Sequence, residues 1–311
     1  MKPLLIGIGG ANADLSIAKT SNLVYGDSNP AKFSFSAGGV MRNICENASR
    51  LGIRTELFAA VGNDAFGDLI ISSCEKSGIG TSLLKRLPDT SSSAYVSILD
   101  ENGDMSVAFS DMSIAKTLSP EDLESAMPLI KKASVVCFDG NPSKEFLEYS
   151  AKRLHDEGIP LFLDPVSTAH AVKFEGFLGL FDTIKPNRLE LETLSGVKIT
   201  DDDSLKEAAR AVIKKGVRRI FVTLGEKGVL YADRDGNERR FFPNVVPMKN
   251  ANGAGDAFTA GLLSSYLDGL SVDDTLMRAA ACAAVAVSSE ETVSPILSVN
   301  EISKYTGGTF L

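Results

Sequence analysis

Residues 133–165 read ASVVCFDGNPSKEFLEYSAKRLHDEGIPLFLDP. The apolar run Ala133–Phe138 reads as a strand and Ser143–Glu157 as an amphipathic helix. Pro160–Leu163 reads as a second strand, ending at Asp164-Pro165. A helix of that length carries the chain back across a sheet, so the two strands run parallel. The same alternation continues with a strand at Phe181–Ile184, helices at Asn187–Ser195 and Ser204–Lys215, and a strand at Arg219–Thr223. It predicts an α/β fold with a mainly parallel central sheet flanked by helices. Ligands of such sheets bind beyond the carboxyl ends of the strands. Asp139–Asn141, Asp164, Lys185–Asn187 and Thr223–Gly228 all fall at those ends.

Two stretches break the alternation. Leu15–Ser36 has no helical period and is rich in turn formers. Thr81–Phe109 offers strand-like pieces at Ser93–Leu99 and Met105–Phe109, joined by the hairpin signal Glu101-Asn102-Gly103-Asp104. Both read as parts of a small β-sheet lid inserted in one domain spanning 1–311, with lid segments at approximately 15–36 and 81–112. No internal repeat stands out.

The chain of 311 residues is 44% hydrophobic and 23% charged, enough to bury a sizeable core. Its net charge of −8 leaves no excess of Lys and Arg to neutralise phosphates, so nucleic acid and anionic membrane are not expected partners. No 18-residue apolar run appears, and the start MKPLLIGIGG is too short and glycine-rich for a signal peptide. A cytoplasmic location is the expectation. Cys45, Cys74, Cys137 and Cys282 lack paired spacing; Cys137 and Cys282 lie in apolar runs and read as buried free thiols. His155 sits on a polar helix, and with His170 it offers neither a zinc pair nor a histidine base.

Residues 250–262 read Asn-Ala-Asn-Gly-Ala-Gly-Asp-Ala-Phe-Thr-Ala-Gly-Leu. Gly253, Ala254 and Gly255 let the backbone turn tightly before a helical run, Ala257 to Leu270. Unpaired N–H groups at a helix start form an anion site, and Asp256 lies inside that first turn. An anion hole beside one carboxylate suits phosphoryl transfer from a nucleotide to an alcohol: the N–H groups stabilise charge, and the carboxylate takes the hydroxyl proton. A simple helix cap is the bland alternative, but capping needs no Gly-Ala-Gly.

Other segments offer polar groups at strand ends. After strand Leu4–Ile8, Asn12 and Asp14 supply an amide and a carboxylate suited to sugar hydroxyls, with an Asx turn as the competing reading. The third glycine of a dinucleotide fingerprint is replaced by Asn12. Gly38 and Gly39 open a helix that carries Asn43 one turn in. Lys185-Pro186-Asn187 opens another, where Asn187 and Glu190 also match an ordinary capping box. The glycines of Thr223-Leu224-Gly225-Glu226-Lys227-Gly228 permit close approach to a ligand, and no Gly-Lys-Ser/Thr exists for a Walker loop.

In this order the motifs resemble the PfkB/ribokinase family of kinases over essentially the whole chain. Gly253, Ala254, Gly255, Asp256 and Phe258 match its Asp-Thr-x-Gly-Ala-Gly-Asp-x-Phe hallmark, while Asn250 and Asn252 depart from it. The resemblance implies a ribokinase-like fold, ATP and Mg2+ as cofactors, and Asp256 as catalytic base beside a Gly253–Gly255 anion hole. Asn12, Asp14, Gly38, Gly39 and Asn43 inherit sugar-binding roles, and Val61–Gly67 a scaffold role. Lys185, Asn187, Thr223, Gly225 and Gly228 inherit the nucleotide, and Glu190 the magnesium through bound waters. The family's Asp at the position of Asn250 helps hold a monovalent cation, so the amide here leaves potassium activation open. Tyr25–Pro30, Ser110-Asp111-Met112, Asp164–Ser167 and Lys185–Gly196 resemble the pseudouridine kinases of this family most. That subgroup implies phosphorylation of the 5′-hydroxyl of pseudouridine, with Asn141 and Asp111 facing substrate and Asp27, Asn29 and Asp111 as candidate base readers. Another nucleoside or sugar kinase, or a non-catalytic nucleoside-binding regulator, are the competing functions. Family members often dimerise through exposed lid edges, which makes a homodimer a possible partner arrangement.

Overall fold

Along the strands, successive side chains enter two different apolar cores, the pattern of a sheet covered on both faces. Leu4, Ile6, Val136, Phe138, Leu161, Leu163, Ile220 and Val222 enter one; Leu5, Val135, Cys137, Phe162 and Phe221 enter the other. The computed structural model describes residues 3–19, 23–100, 105–243 and 246–307. Its first part contains β1 (Leu4–Ile8), β2 (Asn12–Lys19), β3 (Ala31–Gly38), α1 (Val40–Arg50), β4 (Arg54–Phe58), β5 (Ala60–Gly62) and α2 (Ala65–Lys76). Next come β6 (Ile79–Gly80), β7 (Lys85–Leu87), β8 (Ala94–Leu99), β9 (Met105–Asp111), α3 (Pro120–Ile130), β10 (Val135–Asp139), α4 (Lys144–Asp156), β11 (Leu161–Asp164) and α5 (Thr168–Ala171). The remainder comprises β12 (Thr183–Ile184), α6 (Arg188–Ser195), α7 (Asp202–Lys214), β13 (Arg219–Thr223), β14 (Val229–Asp233), β15 (Glu238–Phe241), α8 (Ala254–Leu267), α9 (Val272–Val287) and α10 (Val299–Ser303).

Among the described residues, nine strands form one sheet in the order β15-β14-β13-β12-β11-β10-β1-β4-β6. From β13 to β6 every pairing is parallel; β14 and β15 are antiparallel additions at one edge. Residues of α3 to α7 build the first core, and those of α1, α2, α8, α9 and α10 the second. Helices α8 and α9 approach so closely at Gly261 that a Cβ there would lie 2.6 Å from Ala279 Cα. The expected α/β architecture is what the chain adopts.

A separate sheet, β3-β2-β8-β9, stands off the main one. Its extent differs from the sequence reading. The strands begin at Asn12 and end at Gly38, because Asn-Ala-Asp-Leu-Ser-Ile-Ala already alternates with period two. Lys85–Leu87, assigned to the lid, lies elsewhere: β7 pairs with β5. The expected turn at Glu101–Asp104 lies outside the described residues, though β8 and β9 do pair antiparallel, with Val96 opposite Phe109. Helix α8 also starts three residues earlier than expected, at Ala254, after Gly253 takes a left-handed φ of 79°. The Val61–Gly67 segment is scaffold: Asp64 caps α2 through Gly67 N (2.7 Å) and accepts from Ser92 N (2.8 Å). All four cysteines are free and buried, and His155 is exposed.

Candidate active site

Asp139 ends β10 with no solvent exposure, and its carboxylate gathers three segments. It accepts from Gly10 N (2.9 Å), Met41 N (3.1 Å), Asn141 N (2.8 Å) and Asn141 Nδ2 (2.9 Å). Burial raises its pKa, and the N–H donors counter that. Gly39 takes φ 102° at the start of α1, where a Cβ would sit 2.7 Å from Gly10 O; only glycine fits there. These contacts bring Asn12, Gly38, Gly39, Asn43 and Asn141 to one wall. Asn12 Nδ2 donates to Asp14 Oδ1 at 2.5 Å, and Gly38 packs against the Asp14 carboxyl. Both residues lie in β2, paired with β3, so the Asx-turn alternative is not formed. Burial raises the Asp14 pKa against the Asn12 hydrogen bond and the Arg42 charge.

Asp256 occupies the first turn of α8, and Asn43 Nδ2 donates to its Oδ2 at 3.0 Å. Helix α1 thus touches the carboxylate of the Gly-Ala-Gly-Asp turn directly. Burial, then the neighbouring Asp164 carboxylate, push Asp256 up to about 7, while Asn43 and Lys185 hold it down. Lys185 Nζ pairs with Asp164 Oδ2 at 2.8 Å, both nearly buried, and a Cβ on Gly255 would lie 3.2 Å from that ammonium. Thr259 Oγ1 lies 3.0 Å from Asp164 Oδ2 and 3.0 Å from Gly255 O, tying the pair to α8. Asp164 Oδ1 accepts from Val166 N (3.2 Å), and Val166 adopts φ 72°. A β-branched residue in that region is strained, as often happens at functional sites.

On the far side of Lys185, Asn187 and Thr223 face each other across a parallel bridge, with Thr223 N donating to Pro186 O at 3.0 Å. Asn187 caps α6 in a complete capping box. Its N–H (2.8 Å) and Nδ2 (2.7 Å) donate to separate Glu190 oxygens, and Glu190 N donates back at 3.0 Å. Glu190 is buried, and its pKa is raised by that burial and by Asp164. Gly225 and Gly228 divide in role. A Cβ at Gly225 would meet open space, whereas one at Gly228 would strike Phe241 O. Gly225 is therefore free to approach a ligand, and Gly228 closes the turn against β15.

Among the described residues no three His, Cys, Asp or Glu side chains converge on a metal position. With both Glu190 oxygens already accepting from Asn187, the donor set fits an ion held mainly by phosphate oxygens and water, as Mg2+ prefers. Asn250 Nδ2 donates to Glu290 O (3.0 Å) and its Oδ1 accepts from Asn252 N (2.9 Å), so this amide holds its own loop.

The lid candidates are less integrated. Asp111 is exposed at the end of β9 and accepts from Ser113 N at 2.9 Å. Asn29 bonds Val24 N and O and Asp27 O, and Asp27 accepts from Ser28 N, so both stabilise a turn. Sequence reasoning named Asp139 and Asp164 only as strand-end positions. Their gathering roles depend on neighbours 98 to 129 residues distant for Asp139 and 95 for Asp164. The available signal was an aspartate ending an apolar strand, twice.

Comparison with known proteins accords with this geometry. The pattern of the pfkB family carbohydrate kinases matches residues 2–298. The pseudouridine kinase of Escherichia coli (strain K12) is 35% identical over 301 residues, 97% of this chain and 96% of that protein. A carbohydrate kinase from Agrobacterium tumefaciens superposes with a TM-score of 0.88 at 26% identity, covering 99% of this chain and 97% of its own. The Arabidopsis thaliana ribokinase complexed with ribose and ATP shares the fold, with a TM-score of 0.83 at 22% identity and 98% of each chain covered. The chain belongs to the pfkB family of carbohydrate kinases and is a sugar or nucleoside kinase with the ribokinase-like fold.

Proposed function

We propose that this kinase transfers the γ-phosphoryl group of ATP to the 5′-hydroxyl of pseudouridine. The observation that carries the reading is the contact of Asn43 with Asp256, which joins the polar wall of β2 and α1 to the Gly253–Gly255 turn. The 5′-oxygen attacks phosphorus as its proton passes to Asp256, the new O–P bond forms, and the bond from the γ-phosphorus to the β,γ-bridging oxygen breaks to release ADP. Asp256, held near neutral by burial and Asp164, has the pKa a base needs at physiological pH. The N–H groups of Gly253, Ala254 and Gly255 face the developing charge. Asn12, Asp14, Gly38, Gly39 and Asn43 hold the ribose, with Asn141 beside them and Asp111 on the lid. Lys185, Asn187, Thr223, Gly225 and Gly228 receive the nucleotide. Glu190 would hold a magnesium ion through water, and that ion would supply charge neutralisation on the phosphates.

Support for the substrate comes from the pseudouridine kinase relative at 35% identity; fold alone does not fix substrate. The test is a panel of nucleosides and sugars with ATP. The highest kcat/KM on pseudouridine supports the reading; preference for another sugar leaves a kinase with a different acceptor, and no turnover of any acceptor favours the binding regulator. We place the enzyme in the cytosol; among the described residues no helix is long and apolar enough to cross a membrane.

We also propose that two copies pair through the lid. Rows Phe35–Leu15–Val96–Phe109 and Phe33–Ile17–Ile98–Val107 cross all four strands on one face, with Phe33, Phe35 and Phe109 each more than half exposed. An apolar face of that kind marks an interaction surface.

A further inference from the structure

Arg42 lies in the first turn of α1 and is 4% exposed, beside Asn43 and one turn before Glu46, each 5% exposed. A cation there sits at the unfavourable end of the helix dipole, and taking it out of water is costly. Its Nε is buried without a hydrogen-bond partner. Replacing a buried ion pair by apolar side chains is often neutral or stabilising. Packing therefore does not account for an arginine at this position.

Its guanidinium is anchored from two helices. Nη2 pairs with Glu46 Oε2 and donates to Ser73 Oγ of α2 at 2.8 Å. Glu46 is held in turn by Arg50, whose Nε donates to Glu46 Oε1 at 3.0 Å and whose Nη1 donates to Pro295 O at 2.9 Å. With Nη2 so fixed, Nη1 donates to Asn43 Oδ1 at 3.1 Å. The other titratable groups near Arg42 are Asp14 of β2 and the thiols of Cys45 and Cys74, and burial keeps both thiols neutral.

The contact with Asn43 decides which way an amide points. An asparagine side chain presents a donor and an acceptor of nearly the same shape, and either can turn toward a neighbour. A guanidinium only donates, so the Asn43 oxygen must face Arg42. Nδ2 is then left facing Asp256, where it donates to Oδ2 at 3.0 Å. A donor in that place favours the ionised carboxylate, which can take a proton; a carbonyl oxygen there would favour the carboxylic acid, which cannot. The charges that bear on Asp256 are those of Asp164 at the end of β11, Lys185 after β12 and Asp139 at the end of β10, and Arg42 reaches it through the amide. We propose that Arg42 is a positioning residue of this kinase: held by Glu46 and Ser73, it locks the Asn43 amide with its donor on Asp256 and so keeps the base able to accept a proton. The inference rests on the assignment of Asp256 as base, and on no choice of acceptor.

The test measures kcat and kcat/KM against pH, with ATP and whichever acceptor of the nucleoside and sugar panel turns over fastest. The variants are R42M, R42K, N43A, N43A with R42M, and D256N. R42M leaves Glu46 paired with Arg50. It should lower kcat by roughly tenfold or more, the worth of one hydrogen bond to a charged group, with KM for ATP unchanged. The acidic limb of kcat/KM should move up by about one pH unit, the direction expected when a donor to the charged form is lost. R42K should recover turnover at least about threefold over R42M, because an ammonium also only donates. N43A should be slow, and adding R42M to it should lower turnover no further, since two residues in one relay do not add. R42Q, which keeps a polar group against Glu46 and Ser73, takes the place of R42M with the same expectations if R42M does not fold. The proposal is overturned if R42M stays within about twofold of wild type with the acidic limb unmoved. It is overturned equally if R42M lowers turnover as much without Asn43 as with it, or if R42K does no better than R42M. Near-normal turnover by D256N removes the base assignment and the proposal with it, whereas a slow D256N beside a normal R42M removes the proposal alone.

Discussion

Replacing Asp256 with Asn tests the base assignment and the electrostatics of the cluster together. The substitution preserves size and leaves an oxygen to accept from Asn43 Nδ2, now at 3.0 Å. Asp256 has a folded pKa of about 7 against an ordinary 3.8, so folding favours its protonated form. The stability it contributes is fully present below about pH 4 and is lost as pH rises through 7. Three pH units of displacement correspond to about 4 kcal/mol at most; with part of the residue still reached by water, about 2–4 kcal/mol is the working range. Asn does not titrate, so the variant should match the wild type near pH 4 and be more stable above pH 7 by that amount. Urea melts at pH 4.5, 6 and 8 would show the gap opening. Turnover of the variant should fall by roughly 10²–10⁴, the usual worth of a positioned base, with nucleotide affinity retained. A stability gap that does not change with pH would refute the electrostatic account, and turnover within tenfold of wild type would refute the base.

Asp164→Asn should move the acidic limb of the kcat/KM profile down by about one pH unit or more, the direction expected when a neighbouring like charge is removed; a limb that stays near 7 disconnects Asp164 from the base. Glu190→Gln should raise the magnesium needed for half-maximal rate by about tenfold or more. A loss of only about 1 kcal/mol of stability, with magnesium dependence intact, leaves the capping box as its entire role. Pseudouridine should be used with far higher kcat/KM than uridine, by up to ~10⁴, because the ring N–H it presents where uridine has C–H can satisfy a buried acceptor that uridine leaves unpaired; equal use of uridine rules out such an acceptor. Phe33→Lys with Phe109→Lys should give a monomer in sedimentation velocity, and an unchanged dimer would move the interface off the lid.

The sequence carried the architecture well because both faces of the parallel strands are covered. Ala133–Phe138 and Pro160–Leu163 are apolar at nearly every position, and only a doubly covered strand is written that way. The lid was harder to bound. Lys85–Leu87 falls inside the stretch assigned to the lid, yet it pairs with Ala60–Gly62, since nothing in a three-residue strand announces its partner. The Gly-Ala-Gly-Asp turn was legible because its geometry is local: Gly253 needs a left-handed φ, and the helix follows at once. Asn187 and Glu190 carried two readings, cap and ligand, and the capping box is the one whose hydrogen bonds are formed in full.

What no local pattern could show is the charge balance of the cleft. Asp164, Asp256 and Glu190 lie around one ammonium, Lys185, and the pKa values of Asp256 and Glu190 are raised. Burial is the first cause at each, and the Asp164 carboxylate is the next. Lys185 remains charged despite burial because the same carboxylates hold it so. The cleft therefore has more carboxylate than its own cation can neutralise. The raised pKa of Asp256 follows from its burial first and from that excess second. The charge that adds most to the effect of burial on Asp256 is that of Asp164, 92 positions earlier in the chain and brought into place by the end of β11, so a motif centred on Asp256 cannot show what tunes that carboxylate.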